Sequence, residues 1–329
     1  MPTRIPMVPW SQRHLAILTA IGVVSGTATA AVNAWAAFTS TTDNVGSSLA
    51  AAPDWVAPAL QSSVVQKAEG GLTGFIRQGG TYRVYADLTD SGNPASGTSA
   101  VTANLTALTT GASAAALTSG AWSADGTAYG WRSSILASDI PLASGVKTWT
   151  LTAADAAGNG STSAAATVTV DNIAPSGADV QTVNVSGGTV GQPESGDRIT
   201  FSFSEQIDPH AVQSGWSGSA AAVTVRFVDN GLNDRVEIYN GANTAQLPLG
   251  TITTNQQFVT ADRAFTTSTM AQSNTTVTIT LGTPSGATIA TNVGGIMSWS
   301  PSAALFDRAG NPMPGAAVPE VFTPGGKDF

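Results

Sequence analysis

Runs in which apolar and polar side chains trade places at every residue recur through most of this chain. From Tyr82 to Leu88, Tyr82, Val84, Ala86 and Leu88 share one face while Arg83, Tyr85 and Asp87 share the other, the period-two signature of a half-buried strand. Val101, Ala103 and Leu105 repeat it. Trp149, Leu151 and Ala153 then oppose Thr148, Thr150 and Thr152, and Ala166, Val168 and Val170 oppose Thr167 and Thr169. A second block alternates in the same way at Ile199, Phe201 and Phe203, at Val223, Val225 and Phe227, at Val236 and Ile238, and at Val277, Ile279 and Leu281. No stretch sustains a 3.6-residue period over three turns, so the pattern predicts strands and few helices. Short strands separated by Gly- and Ser-rich turns predict sandwiches of Greek-key type.

Each block closes on the same five-residue pattern, Asp155-Ala156-Ala157-Gly158-Asn159 in the first and Asp307-Arg308-Ala309-Gly310-Asn311 in the second. Gly and Asn tolerate the left-handed backbone of a tight turn, and the Asp carboxylate can accept hydrogen bonds from turn amides. Two domains, at 58–173 and 176–325, are the simplest reading. The stretch from Ala112 to Pro141 carries no assignable pattern. The second block, at roughly 150 residues, exceeds a plain seven-stranded sandwich, so extra strands or loops are expected around Leu247 to Met270.

Composition locates the chain more than it identifies it. With 10% charged residues, 35 glycines and three lysines, the surface is made polar chiefly by hydroxyls. The net charge of −8 becomes more negative once Arg4 and Arg13 are lost with a leader, which leaves no electrostatic footprint for nucleic acid or anionic lipid. The absence of cysteine excludes disulfides, thiolate metal sites and cysteine nucleophiles. Residues 1–14 hold Arg4, Arg13 and His14 and no acid, and an apolar or small-residue run follows from Leu15 to Ala34. That is an export leader; Ala34 and Ala36 supply the cleavage pattern, giving a signal peptide over 1–36 and an extended segment over 37–57.

The residues Ala34-Trp35-Ala36-Ala37-Phe38-Thr39, with Ser48-Leu49-Ala50-Ala51 downstream, resemble the start of TasA- and camelysin-type exported fibre proteins. The likeness implies export and a segment able to add to a neighbour's sheet edge. Leu151-Thr152-Ala153-Ala154-Asp155-Ala156-Ala157-Gly158-Asn159 followed by Val168-Thr169-Val170-Asp171-Asn172-Ile173-Ala174-Pro175 resembles bacterial, actinobacterial-type immunoglobulin-like domains of surface and secreted proteins. A second such type is resembled by Asp197 to Pro209 together with the closing turn at Asp307. The fold these likenesses imply is all-β: two tandem immunoglobulin-like Greek-key β-sandwiches preceded by a signal peptide.

Candidate chemistry is sparse. Beyond the leader one histidine remains, His210, and there is no G-x-S-x-G or H-E-x-x-H, so triad hydrolases and zinc enzymes have nothing to start from. Glu205 and Asp208 are the nearest approach to the paired acids of a glycosidase, but their place at the end of a strand reads as structural. Calcium takes carboxylate and amide oxygens. Its candidate ligands are Asp155 with Asn159, Asp171 with Asn172, and Asp307 with Asn311, each pair also explained by turn hydrogen bonding alone. Lys67 or Lys147 could join an Asn in an intramolecular isopeptide bond, although neither has a recognisable acid partner in the sequence. Trp149 reads as core. Trp122, Tyr129 and Trp131 could offer sugar rings an aromatic platform, against the commoner fate of packing.

The expected function is therefore an exported structural or adhesive protein without enzymatic activity. It would bind other copies of itself or cell-surface and matrix components through sheet edges and loops, as a fibre or matrix subunit. No nucleic-acid partner is expected, no cofactor beyond the calcium reading, and membrane contact only through an uncleaved leader. The alternative is a secreted carbohydrate-binding module using Trp122, Trp131 and Trp216, with polysaccharide as its partner.

Overall fold

A computed structural model describes residues 54–291, 294–321 and 327–329. The expected signal peptide, all but the last four residues of the 37–57 segment, and residues 322–325 of the second predicted domain lie outside the described residues. Apart from one turn of helix, α1 (Pro209–Val212), the described residues form strands, turns and loops, so the chain is all-β.

The first half contributes β1 (Ala59–Lys67), β2 (Phe75–Ile76), β3 (Thr81–Thr89), β4 (Thr98–Asn104), β5 (Ala115–Ala124), β6 (Thr127–Ser133), β7 (Leu136–Ala137), β8 (Gly145–Asp155), β9 (Gly160–Thr162) and β10 (Ala166–Val170). They lie in the order β1-β3-β6-β5-β4-β8-β10-β2, antiparallel except where β10 runs parallel to β2. Strand β8 turns the corner: residues 145–149 pair with β10 and residues 150–155 with β4. Wrapped this way, the strands enclose a core of Val65, Tyr82, Val84, Val101, Leu105, Trp149, Leu151 and Val168.

The second half contributes β11 (Gly177–Val183), β12 (Arg198–Phe203), β13 (Ala221–Val228), β14 (Arg235–Asn240), β15 (Gln246–Thr253), β16 (Arg263–Ser273), β17 (Thr276–Thr280), β18 (Thr283–Pro284), β19 (Ser298–Ser300) and β20 (Val318–Pro319). Their order is β11-β12-β17-β16-β13-β14-β15-β19-β20, with β18 on β16. A separate core forms around Trp299, whose ring lies edge-on to Phe201 and Phe203 at centroid distances of 5.1 and 5.2 Å. Phe329 joins the same core, 5.2 Å from Phe258 and 5.6 Å from Phe227. The two sandwich-like barrels pack into one unit.

Alternation places the side chains as expected at Tyr82, Val84 and Ala86, all fully buried, and at Trp149, Leu151 and Ala153. The unassigned stretch 112–141 is a hairpin, β5 to β6. Its turn is Asp125-Gly126, both at positive φ (47° and 75°), the backbone that matches the twist of paired strands. Around 247–270 the extra material is β15, the start of β16 and the loop between them. Asp234 organises that loop, its buried carboxylate accepting from the amides of Phe258 and Val259 at 2.7 and 2.8 Å.

Candidate functional site

The period that buries Trp149, Leu151 and Ala153 also points Asp155 inward at the end of β8, where it is 3% exposed. A buried carboxylate needs donors, and the turn supplies them. Asn159 donates its backbone N–H to Asp155 Oδ1 at 2.8 Å and its side-chain Nδ2 to Oδ2 at 2.7 Å. The second turn repeats this at Asp307, which Asn311 meets at 2.8 Å from both nitrogens. Gly158 and Gly310 sit at φ of 92° and 90°, the left-handed backbone that both turns require. Each asparagine then reaches one step further. Asn159 Nδ2 donates to the carbonyl of Asp54 at 3.1 Å, and Asn311 Nδ2 to the carbonyl of Asp171 at 2.9 Å.

Those second partners define two matching acid clusters. Asp54, Asp90 and Asp155 place carboxylate oxygens within 4.8 Å of one another at the head of the first sandwich, and Asp171, Glu205 and Asp307 do so at the head of the second. Correspondence runs residue by residue: an acid ahead of the first strand, an acid just after a strand end, and the Asp of the closing turn. Asp54, Asp90 and Glu205 are absent from the expected ligand set. A signal for the first was present, since Asp54-Trp55-Val56-Ala57-Pro58 repeats the spacing of Asp171-Asn172-Ile173-Ala174-Pro175.

The clusters differ in how their charge is met. In the first, Asp54 accepts from the amides of Val56 and Ser96, which hold its carboxyl below the usual carboxylate range, and Asp90 accepts from Gly97 at 2.6 Å. In the second, Glu205 Oε1 is buried without a hydrogen-bond partner among the described residues. Burial, and then the neighbouring charges of Asp171 and Asp307, push the Glu205 carboxyl up to about 7. Burial also raises Asp307, against the pull of its Asn311 bonds. Three acids sharing a partly dry site, one with an unsatisfied oxygen, suit a hard divalent cation, which takes carboxylate oxygens and relieves their repulsion. Asp171, Glu205 and Asp307 would hold it.

Other expected sites come apart. Asn172 does not accompany Asp171: its Oδ1 accepts from Gln78 N at 2.8 Å and its Nδ2 donates to Leu142 O at 2.7 Å, so it secures the base of the first sandwich instead. Asn159 and Asn311 direct amide N–H groups at the acids, shaping the turns while the carboxylates carry the charge. Glu205 and Asp208 serve different partners. Glu205 belongs to the acid cluster, whereas Asp208 caps α1 and contacts Lys67. The three tryptophans do not form a platform. Trp216 is 5% exposed in the core of the second sandwich. Trp122 lies under the Arg132 guanidinium, 3.5 Å from its ring centroid, and donates to Thr118 O, while Trp131 packs on the first core.

The second turn is also a joint. Arg308 lays its guanidinium 4.1 Å from the ring centroid of Phe75, and its carbonyl accepts from Lys67 Nζ at 3.0 Å. Lys67 and Asp208 meet directly with side chains 2% and 0% exposed. Asp208 accepts in addition from Leu72 N at 3.1 Å. Two residues of the first sandwich thus close on one acid of the second.

No protein-family model matches the chain, and no curated protein matches it either. Its class is defined by fold and site: an all-β protein of two sandwich-like barrels, each headed by a turn-organised acid cluster, the second cluster built into the joint between them. Among the described residues no helix is long and apolar enough to cross a membrane.

Proposed function

We propose that this is an exported structural or adhesive protein, not an enzyme, whose two immunoglobulin-like sandwiches are held in fixed relation by a buried joint and a divalent cation. One observation carries the reading. The Asp307–Asn311 turn serves two ends at once, supplying an acid to the cluster with Asp171 and Glu205 while Arg308 and Asn311 bind the first sandwich. Such an arrangement fixes spacing and orientation, which is what a surface or matrix component contributes. The leader pattern and the fibre-protein likeness at Trp35 to Phe38 support export, and copies of the chain or cell-surface components are the partners this reading implies.

The test is calcium titration of the purified full chain, followed by melting and by electron microscopy, alongside a panel of hydrolase substrates. A calcium-dependent rise in melting temperature, ordered assemblies or binding to cell-surface material, and no turnover are expected. Turnover of any substrate, or a melting temperature indifferent to calcium in a protein that binds nothing at the surface, would remove the reading.

A further inference from the structure

We propose that Lys67 and Asp208 are the two halves of an amide cross-link joining the sandwiches. The residues are 141 positions apart, on the last residue of β1 and on the cap of α1, and their side chains are in direct contact with almost no exposure. Apart from Asp208, Lys67 Nζ has the Arg308 carbonyl at 3.0 Å and the Phe306 ring, its centroid 5.5 Å away. An ion pair this far from water carries a steep desolvation cost, and condensation to an amide abolishes both charges.

The carboxyl is presented as an electrophile. Asp208 Oδ1 accepts from the backbone N–H of His210 at 2.9 Å, placed to stabilise charge as it builds on that oxygen, and Oδ2 accepts from Leu72 N at 3.1 Å. Gly71, at φ 85°, leaves the carboxyl no slack, because any Cβ there would overlap it. Contact held this firmly supplies the effective concentration an amine needs to attack an acid.

The step balances within the pair. A proton passes from Nζ to Oδ2, leaving a neutral amine and a neutral acid. The Nζ lone pair then forms a bond to Cγ, the Cγ–Oδ2 bond breaks, and Oδ2 departs as water with a second amine proton. No oxidant, cofactor or external nucleophile is consumed, and the chain gains a covalent tie that needs no cysteine.

Intact-mass measurement of the denatured full chain tests this. The expected mass is lighter than the linear chain by one water, with a branched tryptic peptide uniting the Lys67 and Asp208 segments and no cleavage after Lys67. Lys67→Arg and Asp208→Ala should each restore the linear mass, and Asp208→Asn should link with loss of ammonia instead of water. Since either disabling variant also breaks the buried contact and can fail to fold, the wild-type mass decides alone. A linear wild-type mass, or a deficit that maps to other residues, would leave an ion pair only and overturn the proposal.

Discussion

Asn311 spans from its own turn to the backbone carbonyl of Asp171, 2.9 Å away, tying the closing loop of the second sandwich to the segment that leaves the first. Asn159 makes the same reach to Asp54 at 3.1 Å. Asn311→Ala removes two side-chain bonds from a buried site and should cost about 2 kcal/mol, whereas Asn159→Ala, at a more open site, should cost about 1 kcal/mol. Urea titrations of the two variants give the comparison, and equal costs would argue against the joint as the reason for the difference.

The raised Glu205 carboxyl makes stability depend on pH in a definite direction. Between the ordinary glutamate value of 4.5 and about 7, the folded chain keeps a proton that the unfolded chain has lost. Stability without metal should therefore fall as pH rises through that window. Asp328, pushed to about 7 by burial and then by Glu320, acts in the same sense. Because Glu205 is partly open to water, its share should be on the order of 1 kcal/mol. Millimolar calcium should flatten its part of the slope and Glu205→Gln should remove both that part and the calcium response. Melting curves from about pH 5 to about pH 8, with calcium or chelator, measure this.

Gly71→Ala should weaken the joint while touching neither core. Its added methyl group meets the Asp208 carboxylate, and the residue sits at φ 85°. A cost of about 2–3 kcal/mol is expected. Calorimetry should show one transition in the parent splitting into two as the sandwiches uncouple.

The two fully packed tryptophans should respond unequally to shortening. Trp299 donates Nε1 to Leu249 O at 2.6 Å, but the Trp149 indole N–H has no partner among the described residues. Trp299→Phe should thus cost about 1–2 kcal/mol more than Trp149→Phe, since only the first change leaves a carbonyl without its donor. Denaturant midpoints with unchanged slopes are the check.

Alternation was a sufficient guide wherever one face of a strand is apolar, as at Ile199 to Phe203, whereas at Tyr82 to Leu88 it missed Tyr85, buried in a second small cluster with Ala124 and Tyr129. It failed at Ala115 to Ala124, where Ser119, Gly120 and Ala121 are all exposed and small residues give neither face a distinct character. The turn asparagines were legible because their backbone demands restrict residue type. The acids that complete the clusters were not, because Asp90 and Glu205 reach Asp155 and Asp307 only after strands distant in sequence have been brought to one end of a barrel. Asp54 carried a readable mark, its spacing to Pro58. Lys67 gave no sign of Asp208, a partner on the far side of a domain boundary.

Where the chain is cut will matter for anyone dissecting it. Asp171 follows directly on β10 and donates its backbone N–H to Ile76 O, which counts it with the first sandwich, yet its carboxylate and its carbonyl serve the second. A fragment begun at Pro175 leaves out one wall of its own acid cluster and the anchor of Asn311, while a fragment ended at Val170 gives up nothing from its own cluster. The natural seam between the halves is a shared residue, and clean halves require that it be copied into both.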